Sequence, residues 1–208
     1  MRVEIYSTEE QQVDAIKQFW KDYGTSIVIG AVVGLGGLYG WNYYSDMKIV
    51  KAEEASQAFQ TLTTKSTDEA AMLAGVAEFS KNHDQKGYQA LLDLIVAKTA
   101  VEAKDFAKAE EALKKVIAAK PGAGLDTVAT LRLARIQAEQ GQIGTALATL
   151  DQVTDKAFLA QREELKGDFF VRQGEADKAK TAYQAAMDNG GVVTSPALKI
   201  KLDNLNQA

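Results

Sequence analysis

The chain of 208 residues has no cysteine, one histidine and two prolines. Without cysteine there is no disulfide, no zinc–thiolate site and no thiol nucleophile, although the compartment stays open. His83, in a polar stretch, is too little for a zinc site, and any Ser-His-Asp arrangement would have to use it. A basic excess is missing as well. The net charge of −4 argues against nucleic acid as a partner, because phosphate binding needs a basic surface. The acidic pairs Glu53-Glu54, Glu110-Glu111 and Glu163-Glu164 are sequence neighbours. On a helix such neighbours diverge, which suits solvated faces better than acid–base catalysis. No catalytic residue, metal ligand or cofactor is expected. Pro121 and Pro196 are the only helix breakers of their kind among 33 alanines, and strand-like alternation is scarce after residue 46. The expected fold class is all-α.

Charge itself is absent between Asp22 and Asp46. The 23 intervening residues would span roughly 34 Å as a helix, enough for a hydrocarbon core. Phe19, Trp20 and Tyr23 stand at one end, with Tyr39, Trp41, Tyr43 and Tyr44 at the other, which is the interfacial aromatic pattern of a membrane span. Gly30, Gly34, Gly36, Gly37 and Gly40 would weaken a helix in water but are tolerated in lipid. A cleaved signal peptide fits poorly. The leader holds Arg2, Lys17 and Lys21 against Glu4, Glu9, Glu10, Asp14 and Asp22, and no alanine lies between Ala31 and Ala52. The expected organisation is therefore a tail over 1–23, a span over 24–44 in the lipid bilayer, and a soluble domain over 45–208. Gly30 and Gly34, with Gly37 close to the same face, either form a close-packing surface for another helix or simply belong to a glycine-rich span. Lys17 and Lys21 balance Lys48 and Lys51, so charge leaves the orientation open.

In the tail, Ser7 with Glu10 reads as a capping box, followed by Val13, Ile16, Trp20 and Tyr23 on one face. After the span a helix over about 47–62 is expected, and Ser66 with Glu69 reads as a second capping box for a helix to about Asn82. Breaks are expected at 82–87, 121–124, Gly141, Gly174 and 189–191. Ser195 before Pro196 reads as the N-cap of a last short helix.

Three segments superimpose on Ala109, Ala146 and Ala179. The first contains Lys104-Asp105-Phe106, the second Gly141-Gln142-Ile143 and the third Gly174-Glu175-Ala176. Upstream, Ala97, Ala134 and Gly167 share one small position, and Lys98, Arg135 and Asp168 share the next. This pattern resembles the tetratricopeptide repeat, whose unit is a helix pair; the third copy, with Gly167, Phe170, Gly174, Ala179 and Tyr183, matches best. The resemblance implies that the first helix of each pair lines a concave groove. Its inward positions would be Leu91, Leu94, Lys98 and Val101; then Val128, Leu131, Arg135 and Ala138; then Gln161, Glu164, Asp168 and Val171. That is an apolar, mildly cationic strip turning acidic in the third copy. It suits an extended client chain, unless segments such as 66–82 or 195–206 fold over it.

The layout as a whole resembles the YfgM family, ancillary subunits of the bacterial SecYEG translocon. The most specific parts are FWKDYG at 19–24 and GWNYY at 40–44. The resemblance implies a Gram-negative inner-membrane protein with a cytoplasmic N-terminus and a periplasmic repeat domain. It implies association with the SecYEG translocon and with the membrane-anchored periplasmic prolyl isomerase PpiD. Translocating or unfolded client proteins would be handed to periplasmic chaperones, and a cytoplasmic link to an envelope-stress response regulator is also implied.

Overall fold

The charge-free stretch and both flanks form one uninterrupted helix. In the computed structural model, which describes residues 9–65, 68–122 and 124–207, helix α1 runs Glu9–Lys65. The capping serines expected at Ser7 and Ser66 lie outside the described residues. The expected borders at 23/24 and 44/45 both fall within α1. The chain separates into two compact units, one up to Glu54 and the other from Ala55 onwards.

In the first unit α1 is long and apolar enough to cross a membrane. Among the unit's described residues nearly all are exposed; Gly24 is buried against the Trp20 ring one turn earlier, where a Cβ would stand 3.2 Å from that ring, and Ser45 and Ala52 are half-buried. The rings of Phe19 and Tyr23 lie 5.2 Å apart, those of Trp41 and Tyr44 6.4 Å, and Lys48 sits over the Tyr44 ring.

The second unit is a chain of antiparallel helix pairs. After the end of α1 come α2 (Glu69–Asn82), α3 (Lys86–Glu102), α4 (Phe106–Ala119), α5 (Leu125–Glu139), α6 (Ile143–Leu150), a 3-10 turn (Lys156–Phe158), α7 (Leu159–Arg172), α8 (Ala176–Asp188), a single turn α9 (Gly191–Thr194) and α10 (Ala197–Gln207). Helices α3–α4, α5–α6 and α7–α8 pair as hairpins. Their turns are the same structure three times. Lys104, Gly141 and Gly174 take left-handed backbone, with φ of 60°, 76° and 75°. The next amide then reaches back to the carbonyl five residues earlier: Asp105 to Ala100, Gln142 to Gln137, Glu175 to Phe170. This six-to-one bond satisfies a carbonyl that the ending helix would leave open. Ala109, Ala146 and Ala179, a few residues on, are each fully buried.

The core is strung along the sequence in three clusters, as expected of a solenoid whose units contact their neighbours. The first joins Ala55 and Phe59 of α1 and Val76 and Phe79 of α2 to α3, α4 and one side of α5 at Leu133 and Ile136. The second takes the other side of α5, Leu131, Ala134 and Ala138, with α6 and α7. The third is Ala179, Tyr183 and Ala186 under Leu198, Leu202 and Leu205, the apolar stripe of α10. Helix α2 carries a cap at Asp68, whose carboxylate accepts the Ala71 amide at 2.7 Å. The Ser195 Oγ donates to Glu164 Oε1 at 2.8 Å.

Candidate functional site

The inward positions of the first helices divide into three environments. Leu94 and Leu131 are buried, at 7% and 2% exposure, and Ala138 is buried with them. This corrects the reading of these two leucines as groove surface. Helices α3 and α5 have neighbours on both sides, so the buried arc of each is wider than one stripe. Leu94 joins the cluster that α2 and the end of α1 complete, and Leu131 joins that of Leu165 and Phe169. Leu91, Lys98, Val101 and Arg135 remain exposed, and Val128 is half-buried.

Three of the exposed residues come together. Lys98, Val101 and Arg135 line one concave pocket of about 360 Å³ between α3 and α5, with Ile136 on its apolar wall and Glu102 and Arg132 at its rim. Arg132 was not among the inward positions read from the repeat, yet it stands three residues before Arg135 and so shares its helix face. That spacing was available in the sequence. Lys98 pairs with Glu102 at 3.7 Å. Among the described residues neither Arg132 nor Arg135 has a hydrogen bond or ion pair. The pocket offers two guanidinium forks beside an apolar wall.

The acidic positions of the third copy are answered from within the chain. Lys201 of α10 donates to Glu164 Oε1 at 2.8 Å and Asp168 Oδ2 at 2.9 Å, and the Tyr183 hydroxyl donates to Asp168 Oδ1 at 2.7 Å. Burial pushes the Lys201 ammonium down, but the carboxylates of Asp168 and Glu164 outweigh it and hold its pKa above the ordinary lysine value. Burial, and then the bond to Asp168, push the Tyr183 phenol far up. Part of the 195–206 segment, the alternative to an open groove, thus meets Glu164 and Asp168. Gln161 and Val171 stay exposed. Lys201 carried no signal in the sequence, because it reaches Asp168 from 33 residues away.

On α1, Gly30, Gly34 and Gly37 are exposed. A Cβ built on any of them meets nothing within 4 Å. Gly36 and Gly40 are equally open, so the small surface is broader than one face. His83 caps the end of α2 and lies on the Phe79 ring, with centroids 4.6 Å apart. Among the described residues no cluster of histidine and carboxylate side chains is arranged to hold a metal ion.

An apolar helix long enough to span a bilayer, followed by a helix-pair solenoid with an exposed cationic pocket, defines a tetratricopeptide-like protein of the membrane-anchored class. The tetratricopeptide repeat-like domain family matches residues 17–207. Three curated relatives are each called ancillary SecYEG translocon subunit. The one from Aggregatibacter actinomycetemcomitans is 36% identical over 95% of this chain and 97% of its own length. That from Haemophilus influenzae is 32% identical over the same shares, and that from Escherichia coli is 29% identical over 98% and 100%. The chain belongs to this family, the YfgM family of ancillary SecYEG translocon subunits. No solved structure shows significant similarity to it.

Proposed function

We propose that the chain is a membrane-anchored, non-catalytic accessory subunit of the Sec translocon. The observation that carries this reading is similarity over nearly the full length to relatives named as such, apolar helix included. On this reading residues 24–44 cross the inner membrane, residues 1–23 are cytoplasmic and the repeat domain from 45 on is periplasmic. The repeat groove holds translocated clients and passes them towards periplasmic chaperones, with PpiD as a membrane partner. The tail contacts an envelope-stress response regulator. Gly30, Gly34 and Gly37 form the face that packs against the translocon, since small residues allow close helix approach in lipid.

The deciding experiment is site-specific photocrosslinking from the span in native membranes. Adducts with translocon subunits, lost when Gly30, Gly34 and Gly37 become leucine while insertion persists, are the expected result. Adducts confined to unrelated envelope proteins would replace this reading with that of a scaffold for another complex. Protease added to spheroplasts checks the topology. It should digest residues beyond 46 and spare the tail.

A further inference from the structure

We propose that the pocket between α3 and α5 recognises an acidic peptide segment with an apolar side chain next to its carboxylate. The proposal rests on reading the repeat domain as client-binding, and it adds the class of sequence that the domain prefers.

The chain as a whole is acidic, with a net charge of −4, yet this pocket gathers Lys98, Arg132 and Arg135 against one carboxylate, Glu102. Glu102 is engaged by Lys98 at 3.7 Å. The positive excess left over is the arginine pair, which has no hydrogen-bonding or ionic partner among the described residues. Elsewhere in the domain exposed arginine is matched: Arg172 meets Glu139 at 2.6 Å. A guanidinium presents a planar fork of donors that fits a carboxylate with two parallel bonds, and it is more weakly hydrated than an ammonium. Two such forks on successive turns of one helix favour an anionic ligand and disfavour a basic one.

Shape supplies the second half. The wall between the cations is apolar, formed by Ala97, Val101, Leu113 and Ile136. Its volume of about 360 Å³ lies near the lower end of the range for small-ligand sites, roughly 300–1,000 Å³, which is room for one or two side chains. The surface continues along both helices. Leu91 lies seven residues before Lys98 and is exposed, and Val128 lies seven before Arg135 and is half-buried. An extended peptide can lie along this strip, place one apolar side chain in the pocket and present a neighbouring carboxylate to Arg132 and Arg135. The acidic third copy does not compete, because its carboxylates are already held by Lys201.

The test uses the full chain in nanodiscs of zwitterionic lipid and reads fluorescence anisotropy of a short labelled peptide alternating aspartate with leucine. Counterparts with lysine or glutamine for aspartate, and with serine for leucine, separate charge from apolar contact. The wild type is expected to prefer the aspartate–leucine peptide to each counterpart. Arg132→Gln with Arg135→Gln is expected to weaken it by about tenfold or more, the scale of losing charged hydrogen bonds. Val101→Asn weakens it too, whereas Arg172→Gln does not. Both pocket arginines are exposed, so circular dichroism and the melting temperature should stay at wild-type values. Equal affinity for the lysine peptide, or an arginine double variant that binds like wild type, would overturn the proposal. So would a double variant that loses attachment to anionic vesicles but keeps the peptide, since the pocket would then read lipid. If peptide discrimination fails while span crosslinks to the translocon persist, the specificity is wrong and the accessory role stands. If the crosslinks fail and discrimination holds, the role is wrong and the pocket chemistry stands.

Discussion

Gly167 of α7 faces Tyr183 of α8 so closely that a Cβ on the glycine would lie 2.3 Å from the ring carbons Cδ1 and Cε1. The tyrosine is buried, and its hydroxyl is fixed to Asp168, so the ring has little freedom to retreat. Gly167→Ala is expected to cost about 1–3 kcal/mol, the usual penalty of overpacking. The equivalent positions Ala97 and Ala134 already carry a Cβ and are buried, so their hairpins are built around it. Urea denaturation of the full chain in detergent should show the loss. Tyr183→Leu combined with Gly167→Ala should recover part of it, since the clash is with the ring.

The turn between α3 and α4 puts Lys104 where the other two hairpins have Gly141 and Gly174, with the same left-handed backbone and the same back-reaching amide. An L side chain pays a steric penalty there that glycine avoids. Lys104→Gly should therefore raise stability by roughly 0.5–1 kcal/mol after allowing for glycine's greater freedom in the unfolded chain. A lower melting temperature for Lys104→Gly would mean that the lysine has a compensating contact.

Leu131 and Val101 test the division of the groove into core and surface. Leu131→Ala removes a side chain that is 2% exposed and should cost about 2–5 kcal/mol. Val101→Ala trims one that is 39% exposed and should cost less, because more than a third of its surface stays in water when the chain folds. Similar melting shifts for the two would contradict this division.

What could be read in advance followed from local pattern. The span is a run without charge, and the hairpins recur because Gly141, Gly174 and the three buried alanines repeat at fixed offsets. The limits of the groove were less visible. A repeat position states which way a residue points on its own helix, but not whether a distant segment covers it. Leu94 is buried in a cluster that also draws on α1, α2, α4 and α5, and Glu164 and Asp168 are met by Lys201, so neither outcome is encoded near the residues it affects. The bond from Ser195 to Glu164, 31 residues away, had no local signal for the same reason.

Asp93 gives the clearest expected dependence on pH. It lies on α3 at 8% exposure and accepts from Gln89 Nε2 at 3.2 Å. Burial raises its pKa above the ordinary aspartate value; the Gln89 bond and the field of Lys115 pull it back only in part. A raised carboxyl binds its proton more tightly in the folded state than in the unfolded one. Its contribution to stability is present below the unfolded pKa of about 3.9 and is lost as pH rises through the folded value. At neutral pH the burial of this carboxyl group therefore opposes folding. Asp93→Asn keeps the shape and removes the charge, so it should raise the melting temperature at pH 7. The gain should shrink as the pH is lowered towards 3, where the wild-type carboxyl is protonated in both states. Melting curves of wild type and variant across that range provide the check. A variant less stable than wild type at pH 7 would mean that attraction to Lys115 outweighs burial at this site.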